Sequence, residues 1–450
     1  MKNYFQILPE KVYQNLPVIN DLLRDRIKGY SEDNLKEVIS IIACHVRKEE
    51  GPAPISMFSI NKLVPQGQHY LTGLMKLGIV ERSGQFIPNA NICYQYDLAP
   101  EYKSKYLSFP LNNPKLVLRI QKVWNELRKQ DAKSIRGHSE QVKYLNKLTI
   151  DESYKNFIDS NYVSETDQYN SILASAMRII NKIPLSKIDD TSGRFHSNIT
   201  NMAKGLRPYL RINGEPLANI DIKNSQPYLS TIILTYPSKV AWLTKNPAFA
   251  LLLQTLKVSV NKEDVNKYIS LVISGQLYEY LMQEFFNEGL ELTRSETKIQ
   301  VLRILFARNR TPRDEVNRKA RQIFKDRFPT VHRIFSKVRG SERGDKFQNF
   351  KRFAILLQRI ESYLMLDVIL KRIYKELPGT IAVTIHDSIM TGILTNNLEA
   401  VRKIMIDELT YFVGFAPKIK IERIIRDKEE EDKETELLNQ YDITNLVNYN

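Results

Sequence analysis

The first hundred residues of the chain carry apolar positions with a helical period. Between positions 34 and 49 these positions share one helix face, at Leu35, Val38, Ile39, Ile42 and Val46, which predicts an amphipathic helix. Segments 55–64 and 68–81 predict two further helices, and segment 81–102 alternates apolar and polar residues as a β-hairpin does. Three helices followed by a hairpin are typical of a winged helix, which either contacts DNA or docks a partner such as a replication protein.

The apolar pattern changes in the rest of the chain. Residues 113–182 predict a mostly helical connection, whose clearest helix is LVLRIQKVWNELRKQ at 116–130. Two short apolar strands follow, LANIDI at 217–222 and the hairpin-like TIAVTIHDSIMTGIL at 380–394, and a long helical stretch separates them. Because such distant strands must share one sheet, the pattern predicts an α+β fold.

Composition narrows the class of protein. The chain has 450 residues, 42% of them hydrophobic, and only two cysteines, Cys44 and Cys93, so a disulfide framework is excluded. It has no apolar run of about 20 residues, which argues against a membrane span. The N-terminal residues lack the apolar core of a signal peptide. We therefore expect a cytoplasmic, reducing compartment.

Charge is unevenly distributed along the chain, whose formal net charge is +15. Residues 301–352 hold 16 basic and 5 acidic residues, whereas residues 427–450 hold 2 basic and 8 acidic ones. A local basic block indicates a polyanionic partner, and DNA is the expected one. The alternative is a solvated helix face. The acidic segment is expected to lie on the surface.

Two aspartates stand out as candidates for chemistry. Asp221 ends the first predicted strand, and Asp387 lies between apolar residues of the predicted hairpin. Alone, Asp221 could cap a helix and Asp387 could occupy a surface turn. Together they predict a site for two Mg²⁺ ions, with Mn²⁺ as a substitute, because hard cations prefer carboxylate oxygens. Such a site suits phosphoryl transfer, which depends on positioning and charge neutralisation.

A pair of cations accompanies the aspartates. Arg294 and Lys298 are four residues apart on a predicted helix, which places both on one face. They are candidates to bind a triphosphate. The alternative is a surface ion pair with Glu291 or Glu296.

Five stretches resemble, in the same order, the motifs of family A nucleic-acid polymerases. The stretch 191–230, with TSGR and NIDIKNSQ, resembles the lead into motif A, and RSETK at 294–298 resembles motif B. ARQIFKDRFPTVHRIF at 320–335 looks like the helix after motif B, and FAILLQRIESYLMLDVIL at 353–370 is similar to the palm helix with a Gln near an acid. TIHDSIMTG at 384–392 looks like motif C.

The resemblance implies a role for each matching residue. These are Asp221 and Asp387 as metal ligands, Arg294 and Lys298 at the triphosphate, Lys298 also as proton donor to pyrophosphate, Gln226 and Phe306 at the nucleotide, and Arg194, Gln358 and His386 at the primer–template. Together with the apolar and charge patterns, it gives the expected domain order: 1–110 winged-helix-like, 111–188 helical connector or reduced thumb, 189–240 palm, 241–345 fingers, 346–427 palm and 428–450 acidic tail. The palm would be an antiparallel sheet.

Departures from the family pattern keep several functions open. Motif A is two residues longer than the usual Asp-Tyr-Ser-Gln, and Pro227 and Tyr228 stand where a sugar-selecting Glu is usual. Motif C reads His-Asp-Ser, as in single-subunit phage-type RNA polymerases. We favour DNA synthesis from nucleoside triphosphates without proofreading. The alternatives are a primase or RNA polymerase activity that uses RNA, a template-independent transferase, and a non-catalytic DNA-binding replication protein.

Overall fold

The computed structural model describes residues 4–45, 53–85, 93–135, 137–164, 166–257, 261–340, 351–393 and 397–424. The chain forms two compact units: Met1–Lys187 with Ser197–Gly214, and Ile188–His196 with Glu215–Asn450. Both units mix helices with antiparallel strands, which confirms the α+β class. Assignment of these parts to a winged helix, thumb, fingers and palm stays a prediction. The predicted acidic tail, 428–450, lies outside the described residues.

The described strands and helices of the first unit begin at Phe5 and end at Ile212. The strands are β1 (Phe5–Pro9), β2 (Ala53–Pro54), β3 (Val80–Ser83), β4 (Gln95–Leu98), β5 (Tyr106–Pro110), β6 (Leu148–Ile150), β7 (Ser186–Ile188), β8 (Phe195–Ser197) and β9 (Leu210–Ile212). The helices are α1 (Glu10–Arg24), α2 (Glu32–His45), α3 (Met57–Leu63), α4 (Gly67–Lys76), α5 (Pro114–Ser134), α6 (Ser139–Asn146), α7 (Tyr154–Asn161) and α8 (Asp167–Ile180). Strands β7 and β8 each have residues in both units.

The predicted order of three helices and a hairpin is present in the first unit. Helices α2, α3 and α4 precede β3 and β4, which pair antiparallel, and β2 adds to β4 on its other edge. Residues 86–92 of the predicted hairpin lie outside the described residues. A second pairing, β1 with β5, was not expected from the sequence. Among the described helices, none is both long and apolar enough to cross a membrane.

The second unit begins with a long strand and is mostly helical. Its strands are β10 (Glu215–Ile222), β11 (Ala382–Ile385), β12 (Ser388–Gly392) and β13 (Ile419–Arg423). Its helices are α9 (Ser225–Thr235), α10 (Pro247–Thr255), α11 (Glu263–Ile273), α12 (Leu277–Asn287), α13 (Arg294–Phe306), α14 (Glu315–Arg327), α15 (Pro329–Arg339), α16 (Arg352–Ser362), α17 (Leu370–Glu376) and α18 (Leu398–Val413).

The sheet of the second unit brings the two predicted strand segments together. Strand β10 pairs antiparallel with β12 on one side and with β13 on the other, and β11 pairs with β12. One face carries Ile220, Ile222 and Ile389, which lie in the hydrophobic core with the surrounding helices. Since side chains alternate along a strand, the residues between them point to the other face. That face carries Asp221.

Two helical segments differ from a simple helix. The stretch 320–335 divides at Phe328, because Pro329 fits the first turn of a new helix and cannot continue the old one. The stretch 353–370 leaves α-helical geometry after Ser362 and continues as a π-helix over Tyr363–Ile369. π-Helical turns are uncommon in proteins, and those that occur often lie at functional sites.

Candidate functional site

Asp221 lies in a row of polar side chains across three strands. It is directly opposite Ser388 of β12 and Lys420 of β13. Directly opposed residues of an antiparallel pair share a face, with Cβ atoms about 5 Å apart. Asp221 is half-buried, so its carboxylate lies at the edge of the packed interior.

Asp387 reaches the same end of the sheet through a tight turn. Residues His386 and Asp387 join β11 to β12, and Ile385 pairs with Ser388 on either side of them. His386 has φ +52°, a left-handed conformation that two-residue hairpin turns require. Asp387 therefore immediately precedes the residue that faces Asp221. The structure places the two predicted metal ligands at one site, although they are far apart in sequence.

A buried glutamate, Glu361 of α16, binds two of the predicted site residues. Its side chain is 1% exposed. Nε and Nη2 of Arg194 lie 2.9 and 2.8 Å from its Oε1, and Nε2 of Gln226 lies 2.6 Å from its Oε2. Burial raises the pKa of Glu361 to about 7; the Arg194 charge opposes this rise and the Asp387 charge adds to it. The interaction with Asp387 links this cluster to the two aspartates.

The loop that carries Arg194 is ordered by Asp189. The carboxylate of Asp189 accepts hydrogen bonds from the backbone of Thr191, Ser192 and Arg194 and from the Ser192 hydroxyl. Burial acts to raise the pKa of Asp189, but these hydrogen bonds and one from His196 outweigh it, so the pKa is lowered. The loop therefore carries a fixed negative charge at neutral pH.

The same loop rests on α16. Gly193 has φ +74°, and a Cβ at this position would lie 3.6 Å from Cβ of Ser362. Nε of Arg359 donates to the carbonyl of Thr191 over 2.7 Å. These contacts with α16 hold the loop where the Arg194 guanidinium reaches Glu361. The His196 and His386 rings lie 6.4 Å apart, measured between their centroids.

Arg294 and Lys298 lie on α13, as the spacing predicted, and both are half-buried. The helix begins at a capping box, in which Thr293 and Glu296 satisfy each other's backbone N–H groups. Nε of Arg294 lies 2.7 Å from Oε1 of Glu279, so Arg294 forms an ion pair with α12 that the sequence did not indicate.

Tyr278 interacts with one of the cations, Arg294, and with one of the aspartates, Asp387. The Arg294 guanidinium carbon lies 5.7 Å from the centre of the Tyr278 ring. Burial raises the pKa of Tyr278, the Arg294 charge lowers it, and the Asp387 charge raises it. The start of α13 therefore lies within electrostatic range of the turn that carries Asp387.

Two lysines that the sequence did not single out lie beside these groups. The N–H of Lys223 donates to the carbonyl of Lys418 over 2.9 Å. A Cβ at Gly275 would lie 3.0 Å from Cδ of Lys418 and 3.9 Å from Cδ of Lys223. Burial alone would raise the pKa of Glu279. The hydrogen bond and charge of Arg294 and the weaker effect of the Lys223 charge act in the other direction, and the pKa is lowered. The signal in the sequence was the two-residue extension of motif A, which contains Lys223.

The two remaining predicted site residues are Phe306 and Gln358. Phe306, the last residue of α13, is 0% exposed in the hydrophobic core. Its ring offers no surface on which a base could stack, unlike the accessible position expected for it. Gln358 is half-buried on α16, and its carbonyl accepts the Ser362 hydroxyl over 2.8 Å.

Several arginines of the basic block bind the protein itself. Arg339 is 1% exposed and donates to Ile304, Asn309 and Ser336. Arg327 pairs with Glu284 and Glu288. Part of the block is therefore structural, which the charge count alone did not reveal. Residues 341–350 of the block lie outside the described residues.

The oxygen donors at the end of β10 suit a hard cation. Asn219 shares the face of Asp221, and its buried Oδ1 has no hydrogen-bond partner among the described residues. Amide and carboxylate oxygens are the ligands that Mg²⁺ accepts. Within the described ranges no group of three His, Cys, Asp or Glu side chains forms a metal-binding cluster.

Comparisons with known proteins leave the family open. No protein-family model matches the chain, and no curated protein matches it. Among solved structures, one match is the POL domain of Pol1 from M. smegmatis in complex with DNA primer-template and dNTP. The identity is 9% and the TM-score 0.30, over 93% of this chain and 66% of that one. Similarity at this level carries no functional argument.

Proposed function

We propose that the chain is a nucleotidyltransferase that extends the 3′-hydroxyl of a nucleic-acid strand with nucleoside triphosphates, copying a DNA template. The observation that carries the proposal is the meeting of Asp221 and Asp387 at one end of the sheet. The electrostatic interactions of Tyr278 with Arg294 of α13 and with Asp387 support it. The order of the five motif-like stretches supports it from the sequence.

In this proposal each cluster of the site has a separate task. Asp221 and Asp387, with Asn219 beside them, hold two Mg²⁺ ions, which when bound neutralise charge on the reacting phosphate. Arg294 and Lys298 bind the triphosphate, with Lys223 adding positive charge. The 3′-hydroxyl loses its proton to solvent, and its oxygen forms a bond to the α-phosphorus. The bond from that phosphorus to the bridging oxygen of pyrophosphate breaks, and Lys298 supplies a proton to the departing pyrophosphate.

The strand being copied would lie against the Arg194 loop and α16. Arg194, Gln358 and His386 are grouped there in the proposal, at the primer–template. Cations of the basic block that remain exposed, such as Arg333, would contact the phosphate backbone, which gives salt-sensitive and sequence-independent binding. The N-terminal unit would recruit DNA or a replication protein.

Primer extension on a defined DNA template tests the proposal. Wild-type protein, Asp221→Ala and Asp387→Asn are each supplied with dNTPs or rNTPs and Mg²⁺ or Mn²⁺. Asp367→Asn is the matched control, because Asp367 pairs with Lys371 on the exposed side of its helix. We expect template-matched extension by the wild type and the control, and a loss of at least about a thousandfold in both site variants.

The other outcomes identify the alternatives. Extension that ignores the template indicates a template-independent transferase, and a preference for rNTPs without a primer indicates a primase. If the wild type binds DNA but incorporates no nucleotide, the proposed enzymatic function is wrong and the protein is a non-catalytic DNA-binding protein.

A further inference from the structure

Glu361 is a buried acid to which neither the motifs nor the proposed chemistry assigns a task. A buried carboxylate is costly unless its oxygens are paired. Both oxygens of Glu361 are used, Oε1 by Arg194 and Oε2 by Gln226. These partners are 167 and 135 residues away in sequence. Glu361 is therefore the point at which the Arg194 loop, α9 and α16 are held together.

The contact with Glu361 determines which end of the Gln226 amide faces the site. An ionised carboxylate only accepts hydrogen bonds, so it binds the NH₂ group of Gln226. The carbonyl oxygen, Oε1, must then point away from Glu361. Gln226 is only 8% exposed, and its Oε1 is buried without a hydrogen-bond partner among the described residues. A buried acceptor of this kind is ready to receive a donor from a ligand.

The position of Gln226 indicates which part of a nucleotide supplies that donor. It lies in the first turn of α9, shortly after Asp221, and Asp221 marks the end of the site where phosphate chemistry is proposed. The sugar is the part of a nucleotide covalently next to the reacting α-phosphate, and its hydroxyl groups are donors. The base lies farther from the reacting phosphate.

We infer that Glu361 is a positioning residue that orients Gln226 so that its Oε1 accepts a hydrogen bond from a sugar hydroxyl of the bound nucleotide. The inference rests on the proposed function for the identity of the ligand. It predicts that Glu361 acts on nucleotide selection without contacting the nucleotide.

Substitution of Glu361 by glutamine reverses the geometry. A glutamine has one acceptor, which Arg194 requires because a guanidinium only donates. The NH₂ group of the introduced side chain then faces Gln226, which must turn its own Oε1 toward it. The acceptor is withdrawn from the ligand while the side-chain size is unchanged. Gln226→Met removes the acceptor in a second way and leaves the Arg194–Glu361 ion pair in place.

Equilibrium binding distinguishes this role from a purely structural one. The full chain is bound to a primer–template with a dideoxy end, at pH 8.5 with Mg²⁺, and titrated with four nucleoside triphosphates. These carry the 3′-hydroxyl only, the 2′-hydroxyl only, both, or neither. We expect the wild type to bind those with the contacted hydroxyl about three- to tenfold more tightly than the dideoxynucleotide, as one hydrogen bond allows. In E361Q and Q226M this ratio should fall to about one.

The control is Glu376→Gln, an exposed glutamate of α17 that pairs with Arg372 and should retain the wild-type ratio. Equal binding of all four nucleotides by the wild type, or an unchanged ratio in E361Q and Q226M, would overturn the inference. Hydroxyl preference without primer extension would support the inference while the proposed reaction fails. Extension without hydroxyl preference would do the reverse, and a wild type that binds none of the nucleotides would refute both.

Discussion

Arg294 and Glu279 form an ion pair between two successive helices, with Nε of Arg294 2.7 Å from Oε1 of Glu279. The pair joins the first residue of α13 to the first turn of α12. Both side chains are more than 40% exposed, so solvent weakens the pair and its contribution to stability is small. Its consequence is electrostatic, since a negative charge is held against a cation proposed to bind triphosphate.

Glu279→Gln should therefore increase affinity for nucleoside triphosphates. Without the negative charge of Glu279, the electrostatic potential around Arg294 and Lys223 is more positive and attracts an anionic ligand more strongly. We expect the KM for nucleotide to fall about two- to fivefold at low salt and less at high salt. Glu399→Gln, at an exposed pair with Arg402 on α18, is the control. A KM that rises in E279Q would show that Glu279 is needed to position Arg294.

The capping box at the start of α13 should stabilise the helix end that carries Arg294. Thr293→Ala removes the side chain that accepts the N–H of Glu296 and is expected to cost about 1 kcal/mol of unfolding free energy. Thr293→Ser retains the hydroxyl and should lose little. Urea unfolding of both variants measures the difference. Equal losses in the two variants would mean that the methyl group, not the cap, matters.

Arg339 and Arg333 represent two kinds of cation in the basic block. Arg339 is buried and structural, whereas Arg333 is exposed and could contact a polyanion. Arg339→Met leaves the carbonyl of Ile304 and the side chain of Asn309 without their donor, so we expect a loss of about 3 kcal/mol or more. Arg333 is exposed on the same helix, α15. Arg333→Met should leave the free energy of unfolding nearly unchanged, and urea unfolding of the two variants measures the contrast.

DNA binding measured across salt concentrations completes this comparison. If Arg333 contacts a phosphate, its loss should weaken binding to all sequences and reduce the salt dependence by about one ion. An unchanged salt dependence would remove Arg333 from the proposed interface.

Glu37, in the first unit, should make stability depend on pH. It is 1% exposed, and its carboxylate accepts hydrogen bonds from Tyr4 and Gln6. Burial raises its pKa to about 7, against the opposing effect of these hydrogen bonds. The folded chain thus binds this proton more tightly than the unfolded chain. The stabilisation that protonated Glu37 gives the folded chain is complete below about pH 4.5 and is lost as the pH rises to about 7. The free energy of unfolding falls by roughly 3 kcal/mol at most over this range.

Glu37→Gln should abolish that dependence. The difference in unfolding free energy between variant and wild type should shift in favour of the variant from pH 5 to pH 8. Glu126→Gln, on the exposed side of α5, is the control. A constant difference between pH 5 and pH 8 for Glu37→Gln would show that Glu37 remains ionised in the folded chain.

Much of the local structure could be predicted from the sequence. The apolar period located α2, α4, α5 and α13, and the alternation around Asp387 located the hairpin β11–β12. These features depend on residues close together in the chain, whose pattern reports which face is buried. The break at Phe328, which we did not predict, has an equally local cause, since Pro329 has no N–H to continue a helix.

The amino-acid pattern alone predicts the α+β elements, the candidate aspartates and the shared helix face of Arg294 and Lys298. Which remote residues come together depends on the folding of the whole chain. Glu361 gains a role only when Arg194 and Gln226 reach it, Arg294 pairs with Glu279 of the preceding helix, and Phe306 and Arg339 become interior. The reason is physical: burial and pairing are properties of the packed chain, so a charge or a ring in the sequence does not state whether solvent or protein will surround it.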